Sequence, residues 1–151
     1  MLLKELVEKN RVGFYEKFDS WEEAIKASCK PLLEDNSIED VYVDSMIDCV
    51  KKYGPYIVLA PNIAMPHSQE CAEGVNNTAI SFMKVEQPVE FEKGNPEKNA
   101  QLFFTLASNN HEKHLENMSK LAIVLANEDI VKELLQAQTK EDLLQIDEKY
   151  F

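Results

Sequence analysis

The sequence predicts an α/β domain in which helices flank a mixed β-sheet. Apolar residues recur at helical spacing near both ends of the chain, and short runs rich in β-branched and aromatic residues occupy its middle. A block of strands between helical segments favours a mixed sheet covered by helices. The chain has 151 residues with only 4 Gly and 6 Pro, and it shows no linker or repeat. We therefore expect residues 1–151 to form one domain.

The first third of the chain is predicted to be mainly helical. In order, its elements are a helix at 2–10, a strand of mixed periodicity at 11–18, and helices at 20–33 and 37–52. Ser20 followed by Glu23 matches a capping box, which predicts the start of the second helix. Pro31 lies inside that helix and is expected to kink it. Gly54 suits the end of the third helix.

Four short strands are predicted in the middle of the chain. They are 56–60, 79–85, an edge-like strand at 88–91, and a central strand at 101–107. Pro61 ends the first of them. We expect the segment from Pro61 to Ser68 to be a loop, which Pro61 and Pro66 stiffen.

Three helices are predicted after the last strand. Ser108, Asn109 and Asn110 are all competent to cap the first of them. That helix should turn one apolar face toward the sheet, made by Leu115, Met118, Leu121, Ala122 and Leu125. Helices at 129–138 and 140–149 complete the prediction.

The net charge argues against nucleic acid and membranes as partners. The chain carries 16 basic and 27 acidic residues, a formal net charge of −11. Phosphate backbones and anionic lipids repel such a chain, so a basic protein surface is the better partner. No signal peptide or membrane-spanning stretch is apparent in the sequence, which favours a cytoplasmic protein without direct membrane insertion.

Cysteine and arginine usage restricts the chemistry further. Cys29, Cys49 and Cys71 have no CxxC spacing, which favours buried free thiols in a reducing compartment over a disulfide framework or a zinc site. Arg11 is the only arginine. This excludes a site built from several bidentate arginine clamps for phosphate.

His67 is the leading candidate for chemistry. It follows a predicted strand and comes directly after Pro66, in a stiffened loop that holds its side chain at low entropic cost. Functional residues concentrate on loops that a rigid scaffold positions. Imidazole is also the side chain that can be a neutral nucleophile near neutral pH.

His111 and His114 lie three residues apart in the first turn of the helix after strand 101–107, so they share a face. His114 lies four residues before Met118 and extends its apolar stripe. A helix N-terminus suits a phosphate. The spacing leaves open which histidine joins His67. No carboxylate at metal-motif spacing accompanies them, so we expect no metal and no cofactor. A metal-dependent hydrolase and a binding module without chemistry remain alternatives.

The segment GPYIVLAPNIAMPH at 54–67 resembles the active-site stretch of enzyme IIA domains of the bacterial phosphotransferase system (PTS), in the mannitol–fructose–ascorbate group. The continuation EGVNNTAIS at 73–81, PVEF at 88–91 and the strand before the histidine-containing helix also match that group. The resemblance covers roughly residues 20–145. Its Pro-His motif in this context is fairly specific, and the family fold agrees with the sheet and helices expected above.

The resemblance implies a phosphotransferase component with a phosphohistidine intermediate. His67 would accept a phosphoryl group from phospho-HPr and donate it to a cysteine of a IIB component, which serves sugar uptake through a membrane IIC component. His114 would assist, with His111 as the alternative. From the residues themselves, we expect the Ser68 hydroxyl and unpaired N–H groups near Asn109 and Asn110 to contact the phosphate. The same type of domain also occurs in regulatory phosphocarriers that signal to a partner protein, and such a regulatory role is the alternative to transport.

Two departures from the family pattern refine the expectation. Asn62 and Ser68 stand where the family often has glycine, and Asn62 tolerates the left-handed backbone that such a turn needs. No arginine lies between residues 12 and 151, so the arginine of mannitol-type sites is absent, which favours the ascorbate-type subgroup. Transport of ascorbate or a related sugar or polyol follows. We also expect Ile63, Met65 and Met83 to form an apolar rim.

Overall fold

A computed structural model describes residues 1–69 and 72–151. In that part of the chain, five strands form one sheet and helices pack on both of its faces. The helices are α1 (Leu2–Glu8), α2 (Trp21–Glu34), α3 (Asp40–Tyr53), α4 (His111–Leu125), α5 (Glu128–Gln136) and α6 (Lys140–Tyr150). The strands are β1 (Val12–Tyr15), β2 (Val58–Ala60), β3 (Asn62–Ala64), β4 (Ala79–Glu90) and β5 (Asn99–Ala107). A short 3₁₀ turn, Pro96–Lys98, precedes β5.

The sheet is mixed, as the sequence predicts. Its strand order is β1-β4-β5-β3-β2. Strand β1 is parallel to β4 and β3 is parallel to β5, whereas β4 and β5 are antiparallel, as are β2 and β3. The α/β class with a mixed sheet is therefore confirmed. Strand β3 ends beside Phe103, in the middle of β5, and because the two strands are parallel, the chain after β3 continues alongside the carboxyl end of β5.

Alternation along the central strands divides the buried residues between two layers. On β5, Leu102, Phe104 and Leu106 face the layer that contains α1 and α4 to α6. Phe103 and Ala107 face the other layer, which contains α2 and α3. Both layers are apolar because side chains at successive positions of a strand point to opposite faces.

Three buried hydroxyl side chains join α2 to the sheet. Ser81 on β4 donates to the carbonyl of Ser28 at 2.7 Å, and Thr105 on β5 donates to Ser28 Oγ at 2.9 Å. Ser28 Oγ in turn donates to the carbonyl of Ile25 at 2.7 Å. All three hydroxyl residues are 0–2 % exposed. We call Ser28, Ser81 and Thr105 the closed network.

The helix ends follow the sequence signals. Ser20 caps α2 by accepting a hydrogen bond from the N–H of Glu23. Pro31 lies inside α2, which runs as one helix from Trp21 to Glu34. Gly54 ends α3 with a φ of 81°, a conformation open to glycine at little cost. Trp21, in the first turn of α2, stacks on Phe91 at 5.9 Å between ring centroids.

Two strand predictions need correction. Residues 79–85 and 88–90 belong to one strand, β4, which pairs with β1 at 82–85 and with β5 on its other side at 79–84 and 89–90. The exposed residues Glu86, Gln87 and Pro88 interrupt the apolar pattern. The strand nevertheless continues, because its register with β5 shifts between Lys84 and Val89 and so accommodates the proline.

The segment after Pro61 is also not entirely a loop. Asn62–Ala64 forms β3, which turns back antiparallel to β2 and runs parallel to β5. Leu115 and Ala122, both expected on the apolar face of α4, are exposed, with Leu115 at 52 %. Within residues 1–69 and 72–151, no helix combines the length and the apolar character needed to cross a membrane.

Candidate functional site

A cavity of about 480 Å³ opens where the chain after β3 runs beside the carboxyl end of β5. Its lining residues come from α3, β2, the end of β5, the segments that follow β3 and β5, and α4. They are Tyr42, Leu59, Met65, His67, Ser68, Gln69, Ala72, Leu106, Ser108, His114 and Met118. Two of the three histidines of the chain therefore face one cavity.

Short-range backbone pairing places His67 in this cavity. Asn62 makes the turn from β2 into β3 with a φ of 76°, which agrees with the left-handed backbone expected there. After β3, the N–H of Met65 donates to Ile57 O at 2.8 Å, and the N–H of Leu106 donates to Pro66 O at 2.9 Å. These bonds extend the sheet beyond β3, so His67 stands beside the end of β5.

The ring of His67 is held in one orientation. Its Nδ1 lies 2.6 Å from the carbonyl oxygen of Met65. A carbonyl oxygen only accepts hydrogen bonds, so Nδ1 carries the proton and Nε2 of the neutral ring is left with its lone pair. The Tyr56 ring meets the imidazole edge-on, with centroids 5.2 Å apart and planes at 88°. The contact with Met65 thus leaves Nε2 as the nitrogen of this half-buried ring that has a lone pair when the ring is neutral.

His114 and His111 have different surroundings. His114 is half-buried and lines the cavity, as does Met118 one turn later. His111 is exposed and is not among the lining residues. The cap of α4 fixes this arrangement, because Asn110 Oδ1 accepts the N–H of Lys113 at 2.9 Å. The geometry therefore pairs His114, not His111, with His67.

The backbone N–H groups of Asn109 and Asn110 are already engaged. Each donates to Thr78 Oγ1 at 3.0 Å, and the Thr78 hydroxyl donates to Asn109 Oδ1 at 3.0 Å. Asn109 also donates through its side chain to Asn76 O. The expectation that these N–H groups are unpaired is therefore wrong in this structure. Ser108, which sequence reasoning considered only as a cap, lines the cavity instead.

Ser68 lines the cavity beside His67 and contacts α3. Its Oγ lies 2.8 Å from Ser45 Oγ and 3.6 Å from Cys49 Sγ. Ser45 and Cys49 are four residues apart, so they lie on one face of the helix. The hydroxyl of Ser68 is thus supported by α3 at the edge of the cavity.

The expected apolar rim is partly wrong. Met65 lines the cavity and is 5 % exposed. Met83 is 1 % exposed within the layer that contains α2 and α3, because it points to that face from the middle of β4. Ile63 packs against the opposite layer. Leu59 is 55 % exposed at the cavity, so an apolar side chain that sequence reasoning overlooked stands at its edge.

The two cysteines that the structure describes, Cys29 and Cys49, are buried free thiols. Burial raises the pKa of the Cys29 thiol to about 12, which leaves it protonated and unreactive at neutral pH. Cys49 is a free thiol, 1 % exposed. Cys71 lies outside the described residues. In residues 1–69 and 72–151, no group of three His, Cys, Asp or Glu side chains comes together in a way that could hold a metal ion.

Comparison with known proteins places these observations in a family context. The model of the family described as "Phosphoenolpyruvate-dependent sugar phosphotransferase system, EIIA 2" matches residues 5–149. A mannitol-specific cryptic phosphotransferase enzyme IIA component of Escherichia coli is 32 % identical over 147 residues, which cover 97 % of each chain. An ascorbate-specific PTS EIIA component of the same species is 26 % identical over 142 residues, covering 93 % of this chain and 91 % of the relative.

A solved structure shares the fold. In the complex of enzyme IIA mannitol with phosphorylated enzyme IIB mannitol from Escherichia coli, the matching chain superposes with a TM-score of 0.75 at 24 % identity. The match covers 90 % of this chain and 92 % of that one. At this level of identity the likeness establishes the mixed sheet with flanking helices.

Proposed function

The chain belongs to the EIIA 2 family of the phosphoenolpyruvate-dependent sugar phosphotransferase system, and from that membership we propose that it carries a phosphoryl group on His67 Nε2 between two partner proteins. One observation carries the choice of atom: Nδ1 of His67 lies 2.6 Å from Met65 O. That contact reserves Nδ1 as a donor and leaves Nε2 as the nucleophile facing the cavity.

The chemistry consists of two in-line displacements. In the first, the Nε2 lone pair attacks the phosphorus of phospho-HPr, the Nε2–P bond forms, and the bond from phosphorus to the donor breaks with its electron pair leaving on HPr. In the second, a cysteine thiolate of a IIB component attacks the same phosphorus, and the Nε2–P electron pair returns to His67. The proton on Nδ1 stays in place, where Met65 O stabilises the positive charge that the ring acquires.

The other cavity residues would stabilise the transferring group. His114 stands on the cavity wall and donates a hydrogen bond to an equatorial phosphoryl oxygen as charge develops. The hydroxyl groups of Ser68 and Ser108 supply further donors. Asn109 and Asn110 act less directly in this proposal: through Thr78 they hold the start of α4, and with it His114, in position. Leu59 and Met118 limit the access of water to the phosphohistidine.

We further propose that the protein works in the cytoplasm, with phospho-HPr as phosphoryl donor and a cognate IIB protein as acceptor. A membrane IIC component is then an indirect partner, through IIB. The net charge of −11 favours basic docking surfaces on these partners. The relative solved in complex with phosphorylated IIB is consistent with such an acceptor. The transported compound is ascorbate or a related sugar or polyol. Arg11 supports the ascorbate choice, because it bonds Asp35 at 2.8 Å and does not line the cavity.

Intact mass spectrometry tests the proposal directly. The purified protein is incubated with phosphoenolpyruvate, enzyme I and HPr, and wild type is compared with His67→Ala. We expect a gain of one phosphoryl mass in the wild type, labile in acid and stable in base, and no gain in the variant. His111→Ala is the matched control and should gain the same mass as wild type. A wild type that gains nothing while HPr is phosphorylated would refute the proposal.

A second assay separates the acceptors. The phosphorylated protein is offered IIB components of ascorbate-type and mannitol-type systems, and loss of the phosphoryl mass is followed in time. Faster transfer to the ascorbate-type component is the expected result. Faster transfer to the mannitol-type component would overturn the substrate assignment and leave the role of His67 untouched.

A further inference from the structure

The peptide group that joins His67 to Ser68 is bonded at both ends by tyrosine hydroxyls. Tyr56 OH donates to the carbonyl oxygen of His67. At the other end of the same peptide group, the N–H of Ser68 donates to the hydroxyl oxygen of Tyr42 at 3.4 Å. The two tyrosines come from different parts of the fold, since Tyr42 lies in α3 and Tyr56 precedes β2. The transfer mechanism above uses neither hydroxyl.

The Tyr42 hydroxyl occupies a place in the backbone ladder between the two chain segments. In a regular parallel pair, one residue uses its N–H and its C=O to bond the two residues that flank its partner. Leu106 makes the first of these bonds, donating to Pro66 O at 2.9 Å. Its C=O does not take the N–H of Ser68 directly. Instead it accepts from Tyr42 OH at 2.7 Å, and that hydroxyl accepts the N–H of Ser68. Tyr42 therefore relays one rung of the ladder opposite His67.

Packing holds both hydroxyl groups where they are. Tyr42 is 4 % exposed and belongs to the layer that contains α2 and α3, so its ring cannot swing away without opening that layer. Tyr56 is half-buried, and its ring also meets the His67 ring edge-on. The two side chains thus fix the backbone just after His67 from two rigid supports.

We propose that Tyr42 and Tyr56 are positioning residues that set the direction of His67 Nε2 by clamping the 67–68 peptide group. The orientation of that group fixes the Cα of His67, and hence the contact between Nδ1 and Met65 O. The kinetic part of this inference rests on the proposed function. Displacement of a reacting group by about 1 Å costs on the order of 100-fold in rate.

Removal of the Tyr42 hydroxyl gives the sharpest test. In Tyr42→Phe, the N–H of Ser68 and the C=O of Leu106 can approach and bond directly, which draws the backbone after His67 toward β5. Fold stability then changes little, but the ring of His67 shifts. The matched control is Tyr150→Phe, which also loses one hydroxyl hydrogen bond, to Glu133, but lies on α6 away from the cavity.

Two readouts are compared in the variants. The tautomer of His67 is measured by ¹⁵N NMR on the unphosphorylated protein, without any partner. The maximal single-turnover rate of phosphoryl transfer from phospho-HPr is measured separately from the half-saturating HPr concentration. For Tyr42→Phe we expect an increased share of the Nε2–H tautomer and a rate about 10- to 100-fold lower, with half-saturation unchanged within about twofold. Tyr150→Phe should leave both readouts at wild-type values.

Two outcomes would overturn the inference. One is a folded Tyr42→Phe whose tautomer and rate match wild type. The other is a lower rate that follows a lower melting temperature while the tautomer stays unchanged, which would mark a merely structural role. If Tyr42→Phe does not fold, Tyr56→Phe is read in the same way, and wild-type values for it likewise reject the clamp. If the wild type accepts no phosphoryl group, the proposed function fails, and the tautomer comparison still decides the clamp.

Discussion

Two sets of hydroxyl hydrogen bonds hold the sheet and the chain beside it to neighbouring parts of the fold, and they differ in access to solvent. The closed network of Ser28, Ser81 and Thr105 ties α2 to β4 and β5 with every member 0–2 % exposed. We call the second network, which consists of Tyr42, Tyr56 and Ser68, the open network. It ties α3 and the segment before β2 to the chain around His67. Tyr42 and Ser68 line the cavity.

The comparison shows how similar chemistry serves two purposes. A fully buried hydroxyl network satisfies polar groups and fixes the relative position of a helix and a sheet. The same kind of bonding at the edge of a cavity fixes the position of a reactive ring. The two networks differ in the side chain that lies beside them. Cys29, beside the closed network, is a thiol that burial keeps protonated, whereas His67, beside the open network, is only half-buried.

The largest expected effect on the transfer rate comes from replacing a histidine near the open network. His114→Ala should slow phosphoryl transfer by about 10²–10³-fold, the scale for loss of one donor to a transition state. His111→Ala is the matched control, because His111 is exposed and lies outside the cavity lining. Single-turnover transfer from phospho-HPr measures both variants. The assignment fails if His111→Ala is slow while His114→Ala is normal.

A second prediction perturbs the open network through its backbone support. Gly74 has a φ of +83°, and a Cβ there would lie 2.5 Å from Val41 Cγ1 and 3.0 Å from Tyr42 N. Gly74→Ala should therefore lower both stability, by about 1–3 kcal/mol, and the transfer rate. Gly94→Ala is the matched control, because Gly94 has a φ of +77° with nothing within 4 Å.

Urea unfolding and single-turnover transfer separate the two glycine variants. Gly94→Ala should lose some stability, since its backbone angle is strained for alanine, but its transfer rate should equal that of wild type. Equal loss of transfer in both variants would mean that the packing of Gly74 against α3 does not matter for the site.

A smaller effect is expected in the closed network. Thr105→Val keeps the shape of the side chain and removes the hydroxyl that donates to Ser28 Oγ. We expect a loss of about 0.5–1.5 kcal/mol in the free energy of unfolding, the net value of one hydrogen bond, with transfer unchanged. Urea denaturation measures the loss of stability, and the transfer assay measures whether the rate is unchanged. A strong loss of transfer would show that the two networks are coupled through β5.

The smallest effect concerns the pH dependence of stability. The folded state keeps the Cys29 thiol protonated up to a pKa of about 12, whereas the unfolded thiol ionises near its ordinary pKa of 9.0. The unfolded state thus releases its proton first, so stability falls as pH rises above about 9. Urea unfolding at pH 8 and pH 10 should show a drop in stability that is about 1 kcal/mol larger in the wild type than in Cys29→Ala. An equal drop in both proteins would contradict the burial of this thiol.

Local patterns in the sequence were enough to predict most of the fold. Ser20 and Gly54 mark helix ends through chemistry that acts within one turn, and the structure confirms both. Strand β3 escaped prediction because it has three residues and follows a proline, so its pairing with β5 is decided by tertiary contacts. The exposed residues 86–88 broke the pattern of β4, since a register shift leaves no signature in the alternation of apolar residues.

The candidate site was predictable only in part. The step of four residues from His114 to Met118 indicated a shared face, and both line the cavity. Met83 was misplaced because alternation along a strand does not reveal which face meets which layer. Tyr42 lies 25 positions before His67 in the printed sequence, and nothing local connects the two. Its contact with Ser68 arises only when α3 packs beside the end of β5.

Because Trp21 stacks on Phe91, its fluorescence reports on one defined region of the molecule. Trp21 is the only tryptophan, and it packs against the layer of α2 and α3 rather than lining the cavity. Its fluorescence emission therefore follows the loosening of that layer during unfolding. The NMR signals of the His67 and His114 rings follow the opposite end of β5, so the two regions can be watched separately in a single sample without any added label.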